Sequence, residues 1–284
     1  MQEPTTQTIA KASQFAALHQ NGPLVLPNAW DIASAVLVQD AGAAAIATTS
    51  AGVAWSLGVP DGNSLTREQA IEFAARLVAA VDVPVTVDIE AGYGETADQV
   101  ATTVSMLAAC GAIGCNIEDA NGSTLRDVRD QSERIAAARS TADRSGIPFF
   151  INARIDTYLL NATSSSNLLA ETAQETAVRA QAYVAAGADG IFVPGLTDLS
   201  ALRILADSIP VPLNAMSGSG GPSVGQLSAS GVRRVSVGMG LAQSAYAVAR
   251  TAAAEMLDSG TFDSLGESVD YGQMNALLAE AHRR

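Results

Sequence analysis

Cysteine is nearly missing from this chain: Cys110 and Cys115 are the only two, five residues apart in an apolar stretch. That number and spacing build neither a disulfide framework nor a zinc site, so both read as buried thiols in a reducing compartment. Positive charge is short as well. Against 29 acidic residues stand 16 Lys and Arg, for a net charge of −13. Such a surface repels phosphate backbones and anionic membranes, which argues against nucleic-acid and membrane partners. No basic n-region followed by an apolar h-region opens the sequence, and no apolar run nears the ~18 residues of a membrane span. The protein is expected in the cytoplasm. Aromatics make up 5% of the residues although hydrophobics reach 48%, so the core is built from Ala, Val, Leu and Ile, which suits helices packed closely on a parallel sheet.

What the chain does have is alternation. Short β-branched runs at 24–27, 45–49, 85–88, 114–117, 149–153, 190–193, 211–213 and 233–237 read as strands. Between them lie alanine-rich stretches with helical spacing, among them 68–81, 97–109 and 168–186. Thr66 with Gln69 and Thr96 with Gln99 have the spacing of capping boxes. Gly42, Gly111, Gly146, Gly187 and Gly231 end helical patterns just before the next strand, where a left-handed residue is wanted. Eight strand–helix units predict a parallel α/β fold that closes into a (β/α)8 TIM barrel. The competing open sheet lacks a GxGxxG turn after the first strand. No linker divides the chain, so one domain over 1–284 is expected, with a helical lead-in (1–21) and a helical tail (264–284). Two segments break the rhythm, an insertion at 51–64 and a polar loop at 120–131, and both follow strand ends where barrels place their chemistry.

The positions at those strand ends are strongly polar: Asn28 and Trp30, Thr49 and Ser50, Asp88 and Glu90, Glu118 and Asp119, Arg154 and Asp156, then Asn214, Ser217 and Gly238. Burying so many carboxylates without compensation costs several kcal/mol each, and a bound cation removes the conflict. Oxygen donors without histidine select a hard ion, Mg²⁺ or Mn²⁺. Asp88 and Glu90 share one face of a strand end and Glu118 comes from the next strand, so these three are the expected metal site. The competing arrangement is a ring of salt bridges around Arg154. Arg154 is the main cation of the rim and can grip a carboxylate bidentately. Asp88 and Asn214, also at strand ends, are further expected substrate contacts. The glycine-rich MSGSGGPS after strand seven fits a phosphate site or a plain turn equally well.

With these residues in view, the chain resembles the isocitrate lyase/phosphoenolpyruvate mutase superfamily over nearly its whole length. SLGVPDGN (56–63), VDIEAGYG (87–94), GCNIED (114–119), NARIDTY (152–158) and AYVAAGADGIF (182–192) carry the resemblance. It implies a Mg²⁺-dependent barrel, a homo-oligomer (tetramer or dimer) exchanging its last helix between subunits, and cleavage beside a 2-oxo acid through an enolate held on the metal. It assigns Asp88, Glu90 and Glu118 to the metal, Arg154 to the substrate carboxylate, and Thr49, Ser50 and Ala51 to the oxo acid. Asp61, Arg154 and Glu118 are then the expected catalytic residues. The lyases' K-[KR]-C-G-H loop is replaced by ANGSTLRD (120–127), whose Asn121, Ser123, Thr124 and Arg126 faintly resemble the mutases' gate and are the expected gating residues. Glu90 stands where aspartate is usual, and Pro194 where a polar residue is. C–C cleavage of an oxaloacetate-like substrate is the leading expectation. The alternatives are a phosphonopyruvate-type C–P enzyme, a non-catalytic binding protein and, last, a sugar-phosphate enzyme.

Overall fold

The computed structural model describes residues 4–20, 22–161 and 166–283. Residues 1–3 and 21 of the expected lead-in, and residue 284 of the tail, lie outside them. The chain opens with α1 (Thr6–Leu18), whose N-cap Thr5 accepts from the Thr8 N–H. Strand β1 follows in two segments, Leu24–Leu26 and Asn28–Ala29, interrupted at Pro27. A proline ring carries no N–H to donate, so the ladder breaks there. Next come α2 (Ile32–Asp40), β2 (Ile46–Thr48), α3 (Ser50–Ser56), α4 (Arg67–Ala80), β3 (Val85–Asp88), α5 (Ala97–Ala109) and β4 (Gly114–Glu118). The second half holds α6 (Val128–Arg144), β5 (Phe150–Arg154), α7 (Thr157–Leu160), α8 (Ser166–Ala185), β6 (Gly190–Phe192) and α9 (Leu199–Ser208). It ends with β7 (Leu213–Met216), α10 (Val224–Ala229), β8 (Val232–Ser236), α11 (Gly240–Asp258) and α12 (Tyr271–His282). Both expected capping boxes form, and the five expected helix-ending glycines all take positive φ.

All pairings in the main sheet are parallel, in the order β8-β7-β6-β5-β4-β3-β2. The first segment of β1 pairs with β8 and the second with β2, so the ring closes across Pro27. This is the expected α/β TIM barrel. Strand seven differs from the reading at 211–213. It starts after Pro212, which cannot donate to a ladder, and runs on to Met216. The 51–64 segment is not all loop either: its residues 51–56 belong to α3, where Ala51, Gly52, Val53 and Ala54 are buried.

Alternation along each strand sends every second side chain into the barrel. Asn116, Asn152, Asn214 and Arg234 form a polar layer there, all buried. Asn152 donates to Asn116 at 2.9 Å and to Asn214 at 3.0 Å, and Arg234 donates to Asn116 at 3.0 Å. Below this layer α1 plugs the N-terminal mouth. His19 stacks on Phe150 with centroids 4.4 Å apart, Phe15 meets the same ring edge-on at 5.5 Å, and Arg234 lies over both phenylalanines. Gly114 makes room for this packing, since a Cβ there would sit 2.6 Å from the Phe150 carbonyl oxygen. The register sets Asp88 level with Asn116 and, two residues above the asparagines, Glu118 beside Arg154 and Arg154 beside Phe192. The Glu118 and Arg154 side of the functional rim therefore stands one residue pair above the asparagines.

Candidate active site

A cavity of about 180 Å³ opens at the C-terminal mouth of the barrel. One side is polar, with Thr49, Ser50, Asp61, Asp88 and Arg154; the other is apolar, with Leu159, Phe192, Pro194, Met216 and Met239. Arg154 is the sole cation in the lining. Its Nη1 holds Glu118 at 2.7 Å and its Nε holds Asp156 at 2.7 Å. Nη2 is the arm left without a partner among the described residues. Burial raises the pKa of Glu118, and the neighbouring Asp156, Asp88 and Glu90 add to the rise, outweighing the opposing pull of Arg154.

Asp88 ends β3. Its Oδ2 accepts from the Ser50 N–H at 3.4 Å and its Oδ1 from the Glu90 N–H at 3.1 Å, while the Asp88 backbone N–H donates to the Thr48 hydroxyl at 2.8 Å. Glu90 is buried and takes φ +50, a left-handed conformation unfavourable for a residue with a Cβ. That turn sends its carboxylate to the loop before α4, where it accepts from the Asn63 N–H, and the Tyr93 hydroxyl donates to it at 3.2 Å. Burial raises the Glu90 pKa, the Asn63 N–H opposes the rise, and Asp88 and Asp61 strengthen it. Asp61 is exposed as a residue, yet it lines the cavity, and burial of its carboxyl raises its pKa against the Gly62 N–H.

Among the described residues no three Asp, Glu, His or Cys groups meet in a shape that could hold a metal ion. Asp88, Glu90 and Glu118 are thus brought to one rim but not to one point: Glu118 faces Arg154 and Glu90 faces Asn63. Of the two arrangements expected from the sequence, the Arg154 salt bridges form, to Glu118 and Asp156. Donor chemistry still fits a hard divalent ion. Five carboxyls (Asp61, Asp88, Glu90, Glu118 and Asp156) gather at the rim with a single guanidinium, and burial raises the pKa values of Asp61, Glu90, Glu118 and Asp156. A divalent cation would relieve that surplus of negative charge.

Thr49 caps α3 at the polar side of the cavity, and Ser50 and Ala51 form the first turn, all three buried. Asn214 does not line the cavity. Because β7 runs on to Met216, Asn214 lies within the strand and inside the barrel, where its amide donates to the Ser236 hydroxyl at 3.2 Å. The expected gating segment is a two-stranded hairpin, Ala120–Asn121 with Thr124–Leu125. Asn121, Ser123 and Thr124 are exposed, and none of the segment touches the cavity. Arg126 turns outward to Glu95 at 3.3 Å and Asp130 at 3.5 Å. Asp119 anchors the hairpin's base: fully buried, it accepts from the Asp156 N–H at 3.0 Å, from Arg179 at 3.1 Å and from the Tyr183 hydroxyl at 2.8 Å. Apart from Pro194, sequence reasoning missed the apolar wall. The period-2 alternation from Asn214 to Met216 and from Gly190 to Phe192 would have found two of its members.

A family model described as phosphoenolpyruvate phosphomutase matches residues 15–257. An uncharacterized protein of Mycobacterium tuberculosis is 39% identical over 267 residues, covering 94% of this chain and 96% of its own. The 2-methylisocitrate lyase of Salmonella typhimurium is 35% identical over 201 residues, 70% of this chain and 67% of that enzyme. A crystal structure from Burkholderia cenocepacia, described only provisionally as a lyase/mutase, superposes with a TM-score of 0.89 at 36% identity and covers 97% of this chain and 98% of its own.

Proposed function

Since the chain belongs to the phosphoenolpyruvate mutase/isocitrate lyase superfamily, we propose that it is a Mg²⁺-dependent enzyme cleaving a C–C bond next to a small, oxaloacetate-like 2-oxo acid. The cavity at the barrel mouth carries this reading, because it joins the sole arginine of the lining to a surplus of carboxylates in a volume of about 180 Å³. Asp88, Glu90 and Glu118 would hold the ion, which supplies positive charge where the oxo oxygen turns negative.

The chain's own groups do the rest. Arg154 is fixed by Glu118 and Asp156, so its Nη2 meets a substrate carboxylate without having to be ordered first. Thr49, Ser50 and Ala51 bound the oxo-acid end. Asp61, or a water it positions, takes or returns the proton as the enolate forms and collapses, a task suited to a carboxyl whose proton affinity is raised. Leu159, Phe192 and Met216 exclude bulk water from the opposite side. A C–P enzyme draws less support, since a phosphonate dianion would meet no second cation in the lining. The hairpin that carries Asn121, Ser123, Thr124 and Arg126 would close over the cavity only after Arg126 leaves Glu95 and Asp130.

We also propose a homo-oligomer; the last helix, α12, packs Ala281, Leu277 and Leu278 against α2 and α4 of its own chain, so the exchange expected of the last helix is assigned instead to α11. This 19-residue helix buries only Ala242 and Ala252, while Tyr246, Val248 and Leu257 stay exposed. None of the described helices is long and apolar enough to cross a membrane, which agrees with a cytoplasmic enzyme. A screen of 2-oxo di- and tricarboxylates and phosphonopyruvate, with and without Mg²⁺ and read by product mass spectrometry, tests the activity. Turnover should vanish in Asp88→Ala and Arg154→Ala. Activity that persists in chelator refutes the metal, and phosphate release from phosphonopyruvate favours the C–P reading. Failure of every oxo acid leaves a binding protein.

A further inference from the structure

The loop that follows β3 must hold Asp88 and Glu90 in a backbone shape that is unfavourable by itself. Glu90, Gly92 and Tyr93 all have positive φ, at 50°, 92° and 50°, and two of the three carry a Cβ. Such a turn leaves its carbonyls outside any helix or strand ladder. From Ala91 to Glu95, five consecutive carbonyl oxygens each accept from a side chain. Arg134 of α6 donates Nη2 to Ala91 and, at 2.9 Å, to Gly94, and it donates Nη1 to Glu95 at 2.8 Å. Thr103 of α5 donates to Gly92 at 2.8 Å. Arg67, the first residue of α4, donates Nη2 to Tyr93 at 2.7 Å and Nε to the Thr103 hydroxyl at 2.9 Å.

Arg134 has no exposed surface, and neither arginine forms an ion pair among the described residues. A buried guanidinium spent wholly on main-chain oxygens is costly to desolvate. Its planar fork of donors suits the one task visible here, which is to pin several acceptors at fixed relative positions. Gly94 confirms how tight the fit is, since a Cβ there would lie 3.2 Å from Arg67 Nη2.

We infer that Arg134 and Arg67 are positioning residues that set the divalent-ion affinity of the rim by locking the turn that aims Glu90 and presents Asp88. This rests on the proposed reading of those acids as the metal site. The link between them is direct, because the Glu90 N–H donates to the Asp88 carboxylate at 3.1 Å. Without the clamp Glu90 relaxes from its left-handed conformation, and both carboxylates move.

The test is Mn²⁺ binding to the full-length protein, by calorimetry and by the free-Mn²⁺ electron paramagnetic resonance signal. The variants are Arg134→Lys, Arg67→Lys and, as a control, Arg139→Lys, which removes part-buried arginine contacts to Asp189 and the Phe149 carbonyl away from the turn. Loss of groups that orient ligands weakens metal binding about 10–100-fold. Arg134→Lys should fall in that range and Arg67→Lys should shift the same way by less. Arg139→Lys should keep wild-type affinity even where its melting temperature drops, a readout that separates positioning from stability. Folded Arg134→Lys and Arg67→Lys proteins that bind Mn²⁺ within twofold of wild type overturn the inference. Tighter binding overturns it too, by assigning the guanidinium a repulsive charge effect alone. Wild-type protein that binds no Mn²⁺ overturns the metal reading, and this inference with it.

Discussion

Replacing His19 with phenylalanine should exchange stability at neutral pH for stability in acid, with a crossing point that follows from the structure. His19 is 3% exposed, stacked on Phe150, with Nδ1 2.8 Å from the Phe15 carbonyl and Nε2 without a partner. Burial, and then the positive charge of Arg234, lower its pKa from 6.5 to about 4. A group whose folded pKa is depressed contributes stability above its unfolded pKa and loses it as pH falls toward the folded value. The native protein should therefore lose about 1.4 kcal/mol at pH 5.5 and roughly 3 kcal/mol at pH 4 through this one ring. Phenylalanine keeps the stacking and cannot titrate, but it forfeits the bond to Phe15, worth about 1 kcal/mol. His19→Phe should be the less stable protein at pH 7.5, equal at about pH 5.9 and the more stable one at pH 4. Urea unfolding of both proteins at those three values reads the difference directly and cancels the other acids that titrate there. Parallel stability curves would refute the account of the barrel plug as a proton-excluding site.

Two further outcomes test the packing around the site. Gly114→Ala should cost about 1–3 kcal/mol in denaturant unfolding, because the new methyl group meets the backbone oxygen of Phe150, which cannot swing aside; a cost under 0.5 kcal/mol would contradict the register of β4 and β5. Asp119→Asn removes the charge that Arg179 and Tyr183 converge on, so it should cost about 3 kcal/mol and speed proteolysis within the 120–126 hairpin; unchanged cleavage there would show that the hairpin is anchored elsewhere.

Much of the fold was legible because its strands are short β-branched runs bounded by glycine and by capping boxes. Strand seven slipped where Pro210 and Pro212 bracket a valine, a place where side-chain character and the missing N–H give opposite answers. The rim acids were found one by one from their places at strand ends. Their failure to converge was not legible, since it depends on a left-handed Glu90 and on the loop that reaches it. Arg134 was overlooked among the arginines of VRDQSERIAAARSTADR, although a signal existed. Gln131, Arg134, Ile135, Ala138, Thr141 and Ala142 form the buried stripe of α6, and an arginine inside a stripe of helical spacing needs an internal partner.

The split first strand has a consequence for how the enzyme comes into being. Leu24 pairs with Arg234, and Asn28 accepts from the Val237 and Gly238 N–H groups at 3.0 and 2.9 Å, some 210 residues away in sequence. Asn28 and Gly238 both border the cavity. A growing chain on the ribosome thus waits, its earliest strand unpaired on one edge, until nearly the last of the barrel has emerged. Contacts of such long separation are slow to form. A polypeptide cut short before Gly238 would expose that edge and leave the candidate cavity without one wall, so incomplete products are open to degradation.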